Sequence, residues 1–182
     1  IPFDYEGFSN STSRMRVVVT NCATGNAEYK DLNTVSPDRF KDLLAATSSL
    51  PYISRIKKID DQYYLDGGIA DSIPVNQAFA DGNKRLIVVL TRDPAYRKKK
   101  SRGHLLLRLI YHKYPNMVSK FENRAEAYNI IIEMLNALEK AGKVFIIRPA
   151  EPIPVSRMEN DPELLKGVYN STIREMNDTI PA

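Results

Sequence analysis

One carboxylate stands out for its neighbours. Asp66 is followed by Gly67 and Gly68 within the stretch Tyr63-Tyr64-Leu65-Asp66-Gly67-Gly68-Ile69-Ala70-Asp71-Ser72-Ile73-Pro74-Val75. This pattern reads as the end of a strand, a tight glycine turn and a proline that opens a helix. A carboxylate at a strand tip, followed by two residues without side chains, lets a reacting group or a second chain segment approach closely. Glycine permits both a positive φ and near backbone contact.

The other titratable groups are weaker candidates. Asp60 and Asp61 sit at a turn tip and read as solvated. Asp71 is placed to cap the helix after Pro74. A calcium site built from 60, 61, 66 and 71 does not have the spacing of a calcium-binding loop. His104 and His112 lie in a basic helical region far along the chain and read as surface residues at helix ends. Cys22 directly follows an apolar strand and reads as a small core residue, with no cation nearby to favour a thiolate. Two histidines and one cysteine cannot supply a usual zinc ligand set. No metal or cofactor is expected. The serines lie in turns or caps, and no Gly-x-Ser-x-Gly occurs, so the residues themselves offer no nucleophile.

The elements around Asp66 follow an α/β order. Met15–Thr20 reads as a buried strand, followed by the turn Asn21-Cys22-Ala23-Thr24-Gly25-Asn26 and a returning strand at Ala27–Tyr29. Ser36-Pro37 starts a helix that Pro51 stops, with Phe40, Leu43, Leu44 and Thr47 on one face. Its small-residue end, Ala45-Ala46-Thr47-Ser48-Ser49, suits close packing. Ile53–Ile59 and Gln62–Leu65 form a hairpin that delivers Asp66. A helix from Pro74 to Ala80 leads to Leu86–Thr91, whose unbroken apolar run predicts a parallel strand buried on both faces. Further helices are expected at about 105–112, 118–141 and 162–176, with a strand at Val144–Ile147.

The chain has 182 residues, 43% hydrophobic and 26% charged, the composition of an ordinary globular domain. No apolar run approaches the ~20 residues of a membrane-spanning helix. The N-terminus shows no secretory signal and no starting Met, which points to a chain trimmed from something longer. The single cysteine excludes an internal disulfide and favours a reducing, cytoplasmic setting. Net charge is +4 and the pI about 9.1. Arg92, Arg97, Lys98, Lys99, Lys100, Arg102 and Arg108 concentrate the positive charge. The run Arg97, Lys98, Lys99, Lys100 and Arg102 could be a solvated loop or could attract an anionic membrane or acidic partner. Peripheral contact at the inner membrane face is one such setting. Nucleic acid is not expected, because no aromatic-interleaved pattern accompanies the run.

Three ordered stretches resemble bacterial patatin-like phospholipases. Val17-Val18-Val19-Thr20-Asn21-Cys22-Ala23-Thr24-Gly25 is similar to the family's strand ending in T-d-x-x-T-G. Ala45-Ala46-Thr47-Ser48-Ser49-Leu50-Pro51 is similar to its A-x-S-A-x-P helix end. Tyr64 to Val75 is similar to its D-G-G-x-x-x-x-x-P motif. The resemblance covers residues 15–91 and marks the chain as the C-terminal part of such an enzyme. It implies part of a three-layer α/β/α sandwich over residues 1–92, with a mostly helical extension over 93–182. The implied activity is cleavage of lipid or phospholipid esters by a serine–aspartate pair, through an acyl-enzyme. Asp66 would be the aspartate, supported by Gly67 and Gly68. The serine elbow and the Gly-rich oxyanion loop would lie on a companion segment upstream. This chain alone is then expected to be inactive. It is also expected to leave Met15–Thr20 or Leu86–Thr91 as a bare sheet edge with an apolar face. The alternative is a non-catalytic module that docks through the basic run.

Overall fold

The computed structural model describes residues 3–100, 103–156 and 159–179. They form two compact units that interleave along the chain. The first comprises Ile1–Val75 and Lys98–Ile131, the second Asn76–Arg97 and Ile132–Ala182. Residues 98–131, expected in the C-terminal extension, therefore close against the N-terminal segment.

The first unit is built on β1 (Arg16–Asn21), whose β-branched run pairs on both edges. Antiparallel β2 (Ala27–Asp31) returns along one side, with Val18 opposite Tyr29. Antiparallel β4 (Gln62–Asp66) lies along the other, with Val19 opposite Asp66. The short β3 (Lys57–Ile59) completes the order β2-β1-β4-β3. Of the two stretches expected to offer a bare edge, Met15–Thr20 is therefore not one. The turn after Asn21 folds the chain back on itself: the Asn21 side chain accepts from the amides of Ala23 (2.9 Å) and Thr24 (3.2 Å). The predicted strand from Ile53 is also shorter, since residues 51–54 form a turn and pairing begins at Lys57. Asp60 and Asp61 both take positive φ at the hairpin tip, the conformation that matches the twist of two-residue hairpins.

Before β1 lies a single-turn helix α1 (Tyr5–Ser9). Helix α2 (Pro37–Thr47) is capped by Ser36 and opened by Pro37. Its inner face buries Phe40, Leu43 and Ala46 in one core with Val17, Val19, Leu32, Ile59 and Tyr64. A second core joins Cys22, Leu65 and Ile69 to residues far along the chain: Leu107, Tyr111, Met117, Val118 and Phe121. These come from α4 (His104–Ile110), the turn after it and the start of α5 (Pro115–Lys140).

Burial raises the Cys22 thiol from its ordinary 9.0 to about 12. The folded thiol therefore stays protonated, and its contribution to stability is present below the ordinary value and lost as pH rises from 9.0 toward about 12. Near neutral pH, iodoacetamide should alkylate Cys22 only as the chain unfolds. Modification of native protein as fast as in urea would contradict this placement.

The second unit holds β5 (Leu86–Val89) and β6 (Val144–Ile147), a two-stranded parallel sheet with Leu86 opposite Val144. Helix α3 (Val75–Ala80) leads into β5, and α6 (Pro162–Thr179) ends the described chain. The parallel pairing of β5 matches expectation, but burial on both faces does not. Ile87 and Val89 are 72% and 70% exposed, because among the described residues nothing lies over that face. Here the expected apolar face is left open.

Candidate active site

The strand β4 ends at Asp66, and the chain turns at once into a short 3-10 turn, Gly67–Ile69. Asp66 caps that turn: its Oδ1 accepts from the Gly68 amide at 2.7 Å. The carboxylate is partly buried and oriented by its own backbone two residues on, which limits the rotamers it can take.

The two glycines serve close approach, and neither has a positive φ. A Cβ on Gly67 would lie 2.2 Å from the Val18 carbonyl oxygen and 2.5 Å from its carbon. The turn is thus pressed onto the backbone of β1. A Cβ on Gly68 would sit 3.0 Å from Oδ1 of Asp66 itself. From sequence, either positive φ or near contact could explain the pair; near contact is the reason.

Three stretches separated in sequence meet at Asp66. The Asp66 amide donates to the Ser49 carbonyl at 2.9 Å, at the end of α2. The Thr20 hydroxyl on β1 donates to the Asp66 carbonyl at 2.8 Å. It also accepts from the Ala70 amide at 3.3 Å. Thr47 donates to the Val18 carbonyl at 2.6 Å, tying the end of α2 to β1. Thr20 and Ser49 are fully enclosed. In such a setting, loss of one of these bonds costs about 1–3 kcal/mol. Thr20 and Thr47, through their hydroxyls, and Ser49, through its main-chain carbonyl, thus hold the Asp66 turn in place, a role that sequence reading does not single out. Their only signal is that they lie in the motif stretches.

The remaining carboxylates go elsewhere. Asp60 pairs with Arg39, and Asp61 with Lys58 at 2.8 Å. Asp71 accepts from the Tyr29 hydroxyl at 2.7 Å. Among the described residues no group of three or more His, Cys, Asp or Glu is disposed to hold a metal ion. Glu28 is on β2 and its side chain reaches across β1: burial opposes its charge, but bonds from Lys30, Asn21 and Tyr64 outweigh that and hold its carboxyl below the ordinary range. It accepts from the Tyr64 hydroxyl at 2.9 Å and Asn21 Nδ2 at 2.8 Å, a structural brace across the sheet. His112 is exposed at the end of α4, with Nδ1 3.1 Å from the Leu109 carbonyl.

The basic run is partly tied down by its own contacts. Arg97 folds back to donate to the carbonyls of Pro94 and Tyr96 at 3.0 and 2.9 Å. Lys98 exchanges backbone bonds with the Asn129 side chain and lays its ammonium over the Tyr128 ring. Lys99 and Lys100 are exposed, and Arg102 lies outside the described residues. No helix among the described residues is long and apolar enough to cross a membrane.

Residues 3–79 match the family model for patatin-like phospholipases. This stretch, less than half of the chain, is similar to patatin-like phospholipases. This match spans the three stretches that converge on Asp66, and it associates the chain with a family of lipid hydrolases. Residues 114–182 match a domain of unknown function (DUF6363), which takes in α5, β6 and α6. No curated protein matches the chain. In the patatin-like segment, mixed α/β structure surrounds the aspartate, and the C-terminal part is mostly helical.

Proposed function

We propose that Asp66 is the base of a serine–aspartate acyl hydrolase that cleaves lipid or phospholipid esters. Its serine and oxyanion donors come from a segment outside these 182 residues. The observation that carries this reading is the convergence of three separate stretches on the backbone of Asp66, whose Oδ1 is oriented by the Gly68 amide. A structural turn does not need such reinforcement; a base that must meet a nucleophile within hydrogen-bond reach does.

In the proposed reaction, Asp66 takes the proton from the serine hydroxyl as the serine oxygen attacks the ester carbonyl. The tetrahedral intermediate collapses, and the alcohol leaves with that proton. Water then adds to the acyl-enzyme, giving its proton to Asp66, and the carboxylic acid departs as the serine is restored. No histidine is required between the two groups. The open face of β5, with Ile87 and Val89, supports a companion segment as its cover. Each oxyanion donor is worth roughly 2.7–4 kcal/mol, so these residues without their companion are expected to be inactive.

A fluorophosphonate, which loses fluoride as it bonds to an activated serine oxygen, tests the division of labour. In the protein that carries this segment, peptide mapping should find the label on a serine outside residues 1–182. Label on Ser49, Ser72 or another serine of this chain would overturn the proposal.

A further inference from the structure

Helix α4 presents an aliphatic stripe to solvent. Leu105 is 83% and Leu109 73% exposed, with Leu106 and Ile110 about half exposed beside them. These positions recur at i, i+1, i+4 and i+5, one side of a helix. Leu107 points the other way and is fully buried. Few proteins show so much contiguous aliphatic surface without using it.

The charge around this helix has one sign. Between Asp93 and Glu122 the chain carries Lys or Arg at 97, 98, 99, 100, 102, 108, 113 and 120, and no Asp or Glu. Arg108 is neutralised by a two-bond pair with Glu122, both at 2.8 Å. Lys99 and Lys100 just before α4, and Lys113 just after it, are exposed.

The helix is also held firmly. The Tyr52 hydroxyl donates to the Gly103 carbonyl at 3.1 Å, and the Tyr52 amide donates to the Tyr111 hydroxyl at 3.1 Å. One residue thus grips α4 at both ends. Tyr52 does so with φ 70, a conformation that a bulky residue adopts only when its surroundings impose it. Tyr52 lies three residues after Ser49, whose carbonyl holds the Asp66 amide. On its buried side, Leu107 shares a core with Leu65 and Ile69, which flank Asp66 and its glycines.

We infer that α4 is the element by which this protein docks on an anionic lipid bilayer, its four aliphatic side chains entering the headgroup boundary and the flanking lysines meeting lipid phosphates. This is the pattern of an interfacial helix, apolar on one side and bracketed by cations. The choice of lipid as occupant rests on the hydrolase reading, and the charge complementarity favours an anionic one. Docking there would hold the Asp66 node, through Leu107 and Tyr52, against the surface that contains its substrate.

The test uses the protein that carries this segment and vesicles of phosphatidylcholine with or without phosphatidylglycerol. Co-sedimentation should require phosphatidylglycerol and weaken with salt. Leu105→Asp with Leu109→Asp should weaken it by about tenfold or more, and Lys99→Ala with Lys100→Ala by a smaller factor. Turnover of a soluble p-nitrophenyl ester and far-UV circular dichroism should stay at wild-type levels in both. A fluorophore on Leu109→Cys should shift to the blue when vesicles are added, which checks the site without a disruptive substitution. Wild-type binding by the Asp pair, or no binding by the wild type, overturns the inference. So does a fluorophore already shielded without lipid, which would mean another segment covers the stripe, or a dimer that the Asp pair dissolves. Binding is read without turnover, so failure of the hydrolase reading and failure of docking are seen separately.

Discussion

Asp66→Asn is expected to lower ester turnover by about 10³-fold in the protein that carries this segment, with almost no loss of stability. The two halves of that result have separate causes. Asp66 is bonded through its backbone, to Ser49 and from Thr20, and at Oδ1, which accepts from the Gly68 amide. Asn keeps that backbone and an acceptor oxygen. What it loses is basicity, because a carboxamide cannot take a proton from a serine hydroxyl near neutral pH. Turnover of a p-nitrophenyl acyl ester, with thermal melting alongside, checks both. Activity within about tenfold of wild type would remove Asp66 from the base role.

Gly67→Ala should instead damage the fold, by roughly 3 kcal/mol or a fall of roughly 10 °C in Tm. The new methyl would meet the carbonyl of Val18 at 2.2 Å, and Val18 is in the central strand, paired on both sides. No flexible side chain is available to move aside, so β1 or the turn must shift. Gly68→Ala provides the contrast. Its methyl presses on a side chain and not on backbone: the Asp66 carboxylate at 3.0 Å, with Ser72 Oγ at an ordinary 3.9 Å. That variant should melt near the wild type yet lose activity, since the carboxylate it displaces is the proposed base. Urea unfolding of the two proteins separates the effects. Equal stability of Gly67→Ala and wild type would mean the turn is not pressed on β1 as described.

Much of the fold is legible in the residues, and the misses have a common cause. Local signals decide well: the Ser36 cap and Pro37 opening of α2, the Asp60-Asp61 hairpin tip, and the strand that ends at Asp66 all stand where pattern and turn chemistry put them. The errors concern what lies next to an element. The apolar run at Leu86 reads as a strand covered on both faces, but periodicity reports what a side chain prefers and not whether a neighbour is there to cover it. Likewise the missing half of the family's sheet suggests a bare edge at Met15–Thr20 or Leu86–Thr91, whereas β2 and β4 occupy both sides of β1. The roles of Thr20, Thr47 and Ser49 are hidden for the same reason. A hydroxyl of Thr20 or Thr47, or the carbonyl of Ser49, looks like any turn group until its partner, 46 positions away for Thr20 and Asp66, is brought beside it. The α4 stripe is equally hard to see, because Leu105, Leu106, Leu107, Leu109 and Ile110 look alike in sequence, and only burial separates the one that faces inward.

The interleaving of the first unit bears on how such a protein can be inherited. The patatin-like match ends at residue 79, whereas the core beneath Asp66 borrows Leu107, Tyr111, Met117 and Phe121 from beyond it. A recombination joint placed at the family boundary would give Asp66 a new neighbour with no matching side chains for Leu65 and Ile69. The patatin-like stretch keeps this core only if it is inherited together with α4 and the start of α5. Their substitutions should be correlated across descendants even though only one of them carries Asp66.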